Sequence, residues 1–509
     1  MPLPISPYST VDDTQTYVIR KDLSGGVNTR QHEQIIGENQ ATILYNVDLS
    51  VPGERSIRPG LTLIEDVSNA VGTSCFGFEI GGGSNELLIT EGTNLRGWAG
   101  SGAFTTHKTD FTTGLITTII KAGESGEGDV ALISNGTDDV FRMVSAHTFQ
   151  DLGNTNTSPP LSTAMTYYRN RVWILKNNGL YYSDAYPADY SLAFNQTTNY
   201  FYMPLGTEMA VIGVRDMGLV CFGQDSVWSI NPLATPAATD KPDRLFDIGC
   251  IVGKTVCQSG DDIYYLAADG VRALFRNIQD KIQAGVSYPI SYQLKTEFDN
   301  INWAYISKAS AIVWDNKYFL TLPTGASTTN NQVWVYYPAL KAWMIITGWN
   351  IAYFAKMKVS GQERLYGIDS TDGKIYRCWS GTSDNGTAIA YQEEGRGEDF
   401  QKPLQFKVGQ DVKVRVKGGS GTVVVSIDLD GEGYQQLGTI DLALTGVSFP
   451  LTFPVTFSPL NEATEQWHID NLEKFKRCKL KIYCNTLNAA LTIIESIITA
   501  NVEEYYPED

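Results

Sequence analysis

A repeat of about 45 residues constrains this chain more than any other feature. One unit recurs: a short apolar-aromatic strand, a tight polar turn, a second such strand, then a longer loop. Residues 84–98 (SNELLITEGTNLRGW) and 129–143 (DVALISNGTDDVFRM) show it first, and further copies lie at 171–184, 218–230, 261–275, 316–345 and 363–379. Each joins β-branched and aromatic residues through Asn-Gly, Asp-Gly or similar turns, such as Asn135-Gly136, the strongest short-range hairpin signal. Strand pairs at this spacing predict a β-propeller. A single four-stranded blade cannot cover both its faces, whereas a ring of blades stacks each face on a neighbour. Six or seven blades fit the copies. Trp173, Trp228, Tyr264, Trp314, Trp334 and Tyr366 read as packing between blades. The longest unit contains the one helix expected, near 289–301, as an insertion.

The ends depart from the repeat. Residues 1–40 read as an extended N-terminal arm with a turn at Gly25-Gly26. The blades occupy 41–384. From 385 to 509 the period is lost and a separate C-terminal β-sandwich-like domain is expected. There, 411–440 reads as two strands joined by Gly418-Gly419-Ser420-Gly421, then a hairpin around Asp430-Gly431. Strand-like alternation continues over 477–504, and the acidic tail EEYYPED is expected to fray. The fold class is therefore all-β: a six- or seven-bladed β-propeller with an N-terminal extended arm and a C-terminal β-sandwich-like domain.

Composition narrows the chemistry. With 47 Gly and 20 Pro the chain leans away from long helices. Its 39 Lys+Arg against 56 Asp+Glu give a net charge of −17, which argues against coating nucleic acid and permits a channel wall that DNA passes without adhering. No apolar run approaches the ~18 residues of a membrane span. The start, MPLPISPYSTVDD, has no basic segment before an apolar core, so no secretory signal is expected. Seven scattered cysteines (Cys75, Cys221, Cys250, Cys257, Cys378, Cys478, Cys484) form no C-x-x-C pair and read as buried reduced thiols.

Catalytic signatures are missing. The four histidines, His32, His107, His147 and His468, lie in different regions without H-E-x-x-H or His-x-His spacing, so no metal site is expected. There is no G-x-S-x-G elbow and no phosphate-binding P-loop. Gly81-Gly82-Gly83 suits a hairpin loop. Asp428-Leu429-Asp430-Gly431-Glu432 lacks the spacing and closing Glu of a calcium loop and reads as an Asp-Gly turn. Asp138, Asp139, Asp261, Asp262, Asp369 and Asp372 are the carboxylates a glycosidase pair would draw on. The same residue type is favoured in turns for its local backbone hydrogen bonds, and nothing brings two of them together. No catalytic residue, metal or cofactor is expected.

One feature runs against the overall acidity. Lys413, Arg415 and Lys417 alternate with valines, Lys479 and Lys481 alternate with Leu480 and Ile482, and Lys476 and Arg477 stand beside them. Two basic strand faces in an acidic chain are candidate subunit contacts; a merely solvated face is the plainer alternative.

Residues 22–64 carry a family resemblance. Gly25, Gly26 and Asn28 form a Gly-Gly-x-Asn turn. Ile36, Asn39, Ala41, Asn46, Val47 and Asp48 follow in an I-x-x-N-x-A-x-x-x-x-N-V-D pattern, and Arg58 precedes Pro59-Gly60. This segment, together with hairpins such as 167–184 and 363–379, resembles virion proteins of short-tailed bacteriophages: tail nozzle, tail-tube and packaged-DNA-stabilising proteins. The resemblance implies a structural, non-enzymatic protein of the phage tail, made in the host cytoplasm. It implies a homo-oligomeric ring, a hexamer, below the portal and adaptor, enclosing the DNA exit channel and retaining packaged DNA until ejection. Other tail proteins, fibres or spikes are the implied partners. The alternative is a glycan-binding or glycan-cleaving β-propeller, against which stand the absence of repeated Asp-box sequences and of an expected signal peptide; a cellular kelch-like scaffold fits the period but leaves the N-terminal segment unexplained.

Overall fold

The computed structural model describes residues 15–66, 71–79, 85–123, 129–144, 147–185, 192–215, 217–232, 236–237, 240–260, 262–442, 462–469 and 474–502. Gly81-Gly82-Gly83, Asp261 and the acidic tail lie outside them. Among the described residues strands make up 52% and helices 6%, an all-β, propeller-like structure. Among the described residues no helix is long and apolar enough to cross a membrane. The seven cysteines are free thiols, five of them buried. The chain divides into two compact units, Pro59–Asn385 and the paired segments Met1–Arg58 and Gly386–Asp509.

In Pro59–Asn385 the hairpin copies become successive antiparallel sheets. The first holds Gly72–Phe78, Glu86–Glu91, Asn94–Trp98 and Thr105–Lys108, and the second Thr118–Ala122, Val130–Ser134, Phe141–Val144 and Phe149–Asp151. The third holds Met165–Tyr168, Arg171–Lys176, Gly179–Tyr182 and Tyr200–Tyr202, and the fourth Glu208–Val214, Gly218–Gly223, Val227–Ile230 and Asp243–Phe246. The fifth has Cys257–Ser259, Asp262–Ala267 and Gly270–Ala273, and the sixth set is Ser310–Trp314, Lys317–Leu322, Gln332–Tyr337 and Ala342–Thr347. The seventh joins Ile351–Val359, Gln362–Asp369 and Ile375–Cys378 to Leu61–Glu65, a strand from the other end of the unit.

Why these sheets stack is visible in their second strands. Glu86–Glu91, Val130–Ser134, Gly218–Gly223 and Lys317–Leu322 are buried at every position, so both faces are covered. Alternate residues serve alternate neighbours. Leu87 and Ile89 pack with Met357 and Tyr366 of the seventh sheet, while Leu88 packs with Ala131 and Ile133 of the second. Val172 and Ile174 face the second sheet and Trp173 and Leu175 the fourth. Val220 and Phe222 meet Ile263 and Tyr265 of the fifth. Tyr264 then stacks edge-on against Tyr318 at 5.4 Å, and the Ser310 and Thr321 hydroxyls each donate to seventh-sheet carbonyls at 2.6 Å. The contacts thus run from each sheet to the next and return from the seventh to the first. Gly60 makes that closure possible, since a Cβ there would stand 2.0 Å from the Ser383 carbonyl oxygen.

The helix expected near 289–301 is largely elsewhere. Leu274–Ala284 is the main helix and only the short Lys295–Asp299 falls in the expected stretch. Leu274, Phe275 and Ile278 pack on the fifth sheet, and Gly285, at φ +73°, ends the helix in a left-handed turn. Its opening Leu-Phe continues the apolar strand Gly270–Ala273, which hides the change of period from 2 to 3.6.

The second unit overturns three further expectations. Residues 41–58 belong here and not with the repeats, and the described part of the arm is built into a sheet: Gln15–Arg20 pairs with Ala490–Val502. That sheet continues through Lys407–Ser420 to Glu462–His468, with Arg55–Ile57 and Val47–Asp48 on the other side. A second sheet runs Ala41–Tyr45, Tyr391–Gly395, Cys478–Cys484, Thr422–Leu429, Tyr434–Asp441. The strands Lys407–Ser420 and Cys478–Cys484 each bury one face: Val412, Val414 and Val416 in the first sheet, Leu480 and Ile482 in the second. Gly418–Gly421 is not a hairpin, because Lys407–Ser420 and Thr422–Leu429 pair with different strands. Gly421, at φ +121°, turns the chain from one sheet into the other, and only the turn at Asp430-Gly431 closes a hairpin.

Candidate functional site

The basic strand residues fall on two different sheets and are not brought together. Lys413, Arg415 and Lys417 line the polar face of Lys407–Ser420, where Arg415 pairs with Glu462 of the adjacent strand. Lys479 Nζ stands 3.2 Å from Glu33 and 3.4 Å from Glu394, and Lys481 Nζ 3.3 Å from Glu394. Glu394 also accepts the Tyr434 hydroxyl at 2.8 Å. Burial pushes the Glu394 carboxyl up, but Tyr434, Lys479 and Lys481 outweigh it and hold it below its ordinary value. Asp430 accepts the backbone N–H groups of Lys476 and Arg477 at 3.0 and 2.9 Å, and the Lys476 ammonium lies 5.0 Å over the Phe406 ring. Much of the basic surface is therefore neutralised within its own unit. Lys417 is exposed and Lys413 half-buried on the polar face.

Deeper in the same unit are charges that sequence reading missed. Arg55 and Glu393, 1% and 3% exposed, form a bidentate pair at 2.8 and 3.2 Å between the two sheets. The other Arg55 donors reach the Lys21 carbonyl at 2.9 Å and Ser496 Oγ at 3.0 Å, and the Tyr391 hydroxyl donates to Glu393 at 2.7 Å. Lys21 pairs with Glu398, both 2% exposed, and Arg396 clasps the same carboxylate at 2.9 and 3.0 Å. Burial raises the Glu398 carboxyl, yet Arg396 and Lys21 together hold it below the usual range. The pattern YQEEG at 391–395 was the available signal: two adjacent glutamates in a strand point to opposite faces, so one of them must be buried.

In Pro59–Asn385 a cavity of about 340 Å³ opens where the first strands of the second, third and fourth sheets meet the turn Gly253–Thr255. Thr118, Met165, Met209, Ala210, Val252 and Lys254 are among its walls. Lys254 Nζ donates to the Thr117 carbonyl at 2.9 Å and to Thr118 Oγ1 at 2.7 Å, and burial pushes its pKa down to about 8. Of the candidate aspartates that are described, Asp139 meets the Asp151 carboxyl of the adjacent strand, and burial and that neighbour raise it above its ordinary value; the others meet protein donors. Asp138 accepts from Thr112 and Asn135, Asp262 from the Phe275 N–H at the helix start, Asp369 from Thr371, and Asp372 from Lys374. These aspartates belong to the second, fifth and seventh sheets.

The histidines do not stay apart as their spacing implied. His107 and His147 stack with ring centroids 4.0 Å apart, and both face Glu86. No residue spacing could have signalled this, because the three residues meet only through the order of strands in two sheets.

No family model matches the sequence, and no curated protein matches it. Several solved structures are similar to it. PorZ of Porphyromonas gingivalis, an essential bacterial surface component of the type-IX secretion system, is 12% identical with a TM-score of 0.36, over 76% of this chain and 46% of that one. The chain thus spans about half the length of PorZ. BBS1N, in complex with ARL6DN, is 10% identical with a TM-score of 0.38, over 65% of this chain and 100% of that one. An exo-β-1,3-galactanase of Phanerochaete chrysosporium is 8% identical with a TM-score of 0.28, over 87% and 99%. None of these similarities carries a ligand or an activity across.

Proposed function

We propose that this chain is a structural, non-catalytic subunit of a tailed-phage tail, a nozzle or stopper ring below the portal and adaptor through which DNA leaves. In this reading the sheets of Pro59–Asn385 are seven blades of a propeller, the last completed by Leu61–Glu65, and the two sheets of the other unit form a β-sandwich. The observation that carries the reading is the role of the phage-like segment. Gly26 takes φ +74°, Gly25 packs so tightly on Asn39 that a Cβ would stand 2.9 Å from it, and Asn28 donates to Gln40 at 2.8 Å. Asn46 accepts from buried Arg58 at 2.8 Å and donates to the Ala390 carbonyl at 2.8 Å. These residues shape the turn and tie the segment to its own unit, as a segment shared among structural proteins should.

The charge pattern fits the same role. Buried ion pairs favour one arrangement over others more than they add stability, which suits a part that must assemble repeatedly in one shape. A net charge of −17 gives a lumen that repels phosphate, so DNA slides past it. Lys413 and Lys417 remain the candidates for subunit contact. The glycan reading has less behind it, since Asp138, Asp262, Asp369 and Asp372 already accept hydrogen bonds from protein groups. Electron microscopy of the purified protein and of phage particles tests the proposal. Rings of defined copy number located in the tail are expected; a monomer absent from tails would sink it.

A further inference from the structure

Glu86 begins the second strand of the first sheet, His107 lies on the fourth, and His147 sits in the turn between the last two strands of the second sheet. His107 Nε2 is 2.6 Å from one Glu86 oxygen and His147 Nε2 2.9 Å from the other. One donor atom from each residue falls within a sphere of contacts no wider than 4.8 Å. The Glu86 and His107 side chains are 9% and 5% exposed, that of His147 43%.

Two features of the backbone keep this arrangement open. The strand between Glu86 and His107 carries Gly97 at the crossing point, where a Cβ would stand 1.9 Å from Glu86 Oε1 and 2.3 Å from His107 Nε2. Glycine inside a strand weakens it, and one recurrent reason for it is close approach of another group. His147 holds φ +57°, a conformation uncommon outside glycine, fixed by its N–H bonding the Val144 carbonyl at 2.8 Å. Its imidazole reaches the first sheet from there.

We propose that Glu86, His107 and His147 bind one divalent transition-metal ion of the zinc class, linking the first and second sheets. Two imidazole nitrogens and a carboxylate oxygen are the donor set zinc takes, at about 2.0–2.2 Å, and a fourth position stays free on the exposed side of His147 for water or a partner's side chain. The ion replaces the Nε2 protons, each neutral imidazole keeping its proton on Nδ1. The inference is independent of the phage reading.

The test uses the full chain, stripped with a chelator and titrated with zinc chloride alone by calorimetry, with cobalt(II) absorption as a second readout. One ion per chain is expected, with a cobalt spectrum of nitrogen and oxygen ligation. His147→Gln, in an exposed turn, should weaken binding at least about tenfold, the lower end of what even an outer-shell loss costs. Gly97→Ala should abolish it, and a His107→Ala/His147→Ala double variant sets the background left by His32 and His468. Wild-type binding no tighter than that background, or unchanged by His147→Gln, overturns the proposal.

Discussion

The two units solve burial in opposite ways. Pro59–Asn385 stacks sheets through aliphatic and aromatic side chains on both faces of its inner strands, with Trp173, Tyr264, Trp334 and Tyr366 buried among them. The other unit buries one face of each sheet and then places full charges inside: Arg55 with Glu393, and Lys21 and Arg396 with Glu398. Apolar packing is additive and forgiving of volume-conserving change. A buried ion pair is all-or-nothing, because its desolvation is offset only while both partners are present.

Breaking the pair should therefore cost most. Glu393→Ala leaves Arg55 charged and unmatched, and a loss of about 3–5 kcal/mol is expected in denaturant unfolding. Replacing both residues by methionine should restore most of that loss. Leu88→Ala, fully buried between two sheets, should cost about 2–5 kcal/mol, and no single partner change should rescue it.

Acid and alkali sharpen the contrast. Glu398 has a depressed carboxyl, so its contribution is present above the unfolded value of about 4.3 and is lost as pH falls through the lower folded value. Glu398→Gln should flatten the acid limb of a stability-against-pH curve. Lys254 is depressed to about 8, against about 10.4 unfolded, so its charge opposes folding below pH 8 and that penalty fades as pH rises between the two values. Lys254→Met should remove this alkaline rise. The smallest effect is expected at Arg415, whose pair with Glu462 lies at the surface: Arg415→Ala should leave the unfolding midpoint unchanged.

The same contrast explains what the residues disclosed in advance. Hairpins such as Glu86–Glu91 with Asn94–Trp98, or Val130–Ser134 with Phe141–Val144, are local, and their turn chemistry sits between their strands. Leu61–Glu65 was not legible as the last strand of the seventh sheet, because its partner Ile375–Cys378 lies some three hundred residues away and no turn connects them. Gly418–Gly421 carried the composition of a hairpin turn, yet tertiary pairing assigned its flanking strands to different sheets. Lys413, Arg415, Lys417, Lys479 and Lys481 lie on strands while Lys476 and Arg477 precede the strand Cys478–Cys484, and the acids that meet this set, Glu33, Glu394 and Glu462, come from distant segments. The Glu86–His107–His147 cluster was hidden for the same reason.

The discontinuous unit also sets an order on synthesis. Residues 15–58 are made before Pro59–Asn385, yet their partner strands, Tyr391–Gly395 and Ala490–Val502, are made after it. At about 5–20 residues per second the early segment waits on the order of tens of seconds. Meanwhile Pro59–Asn385 can close on itself as soon as Ile375–Cys378 emerges to meet Leu61–Glu65.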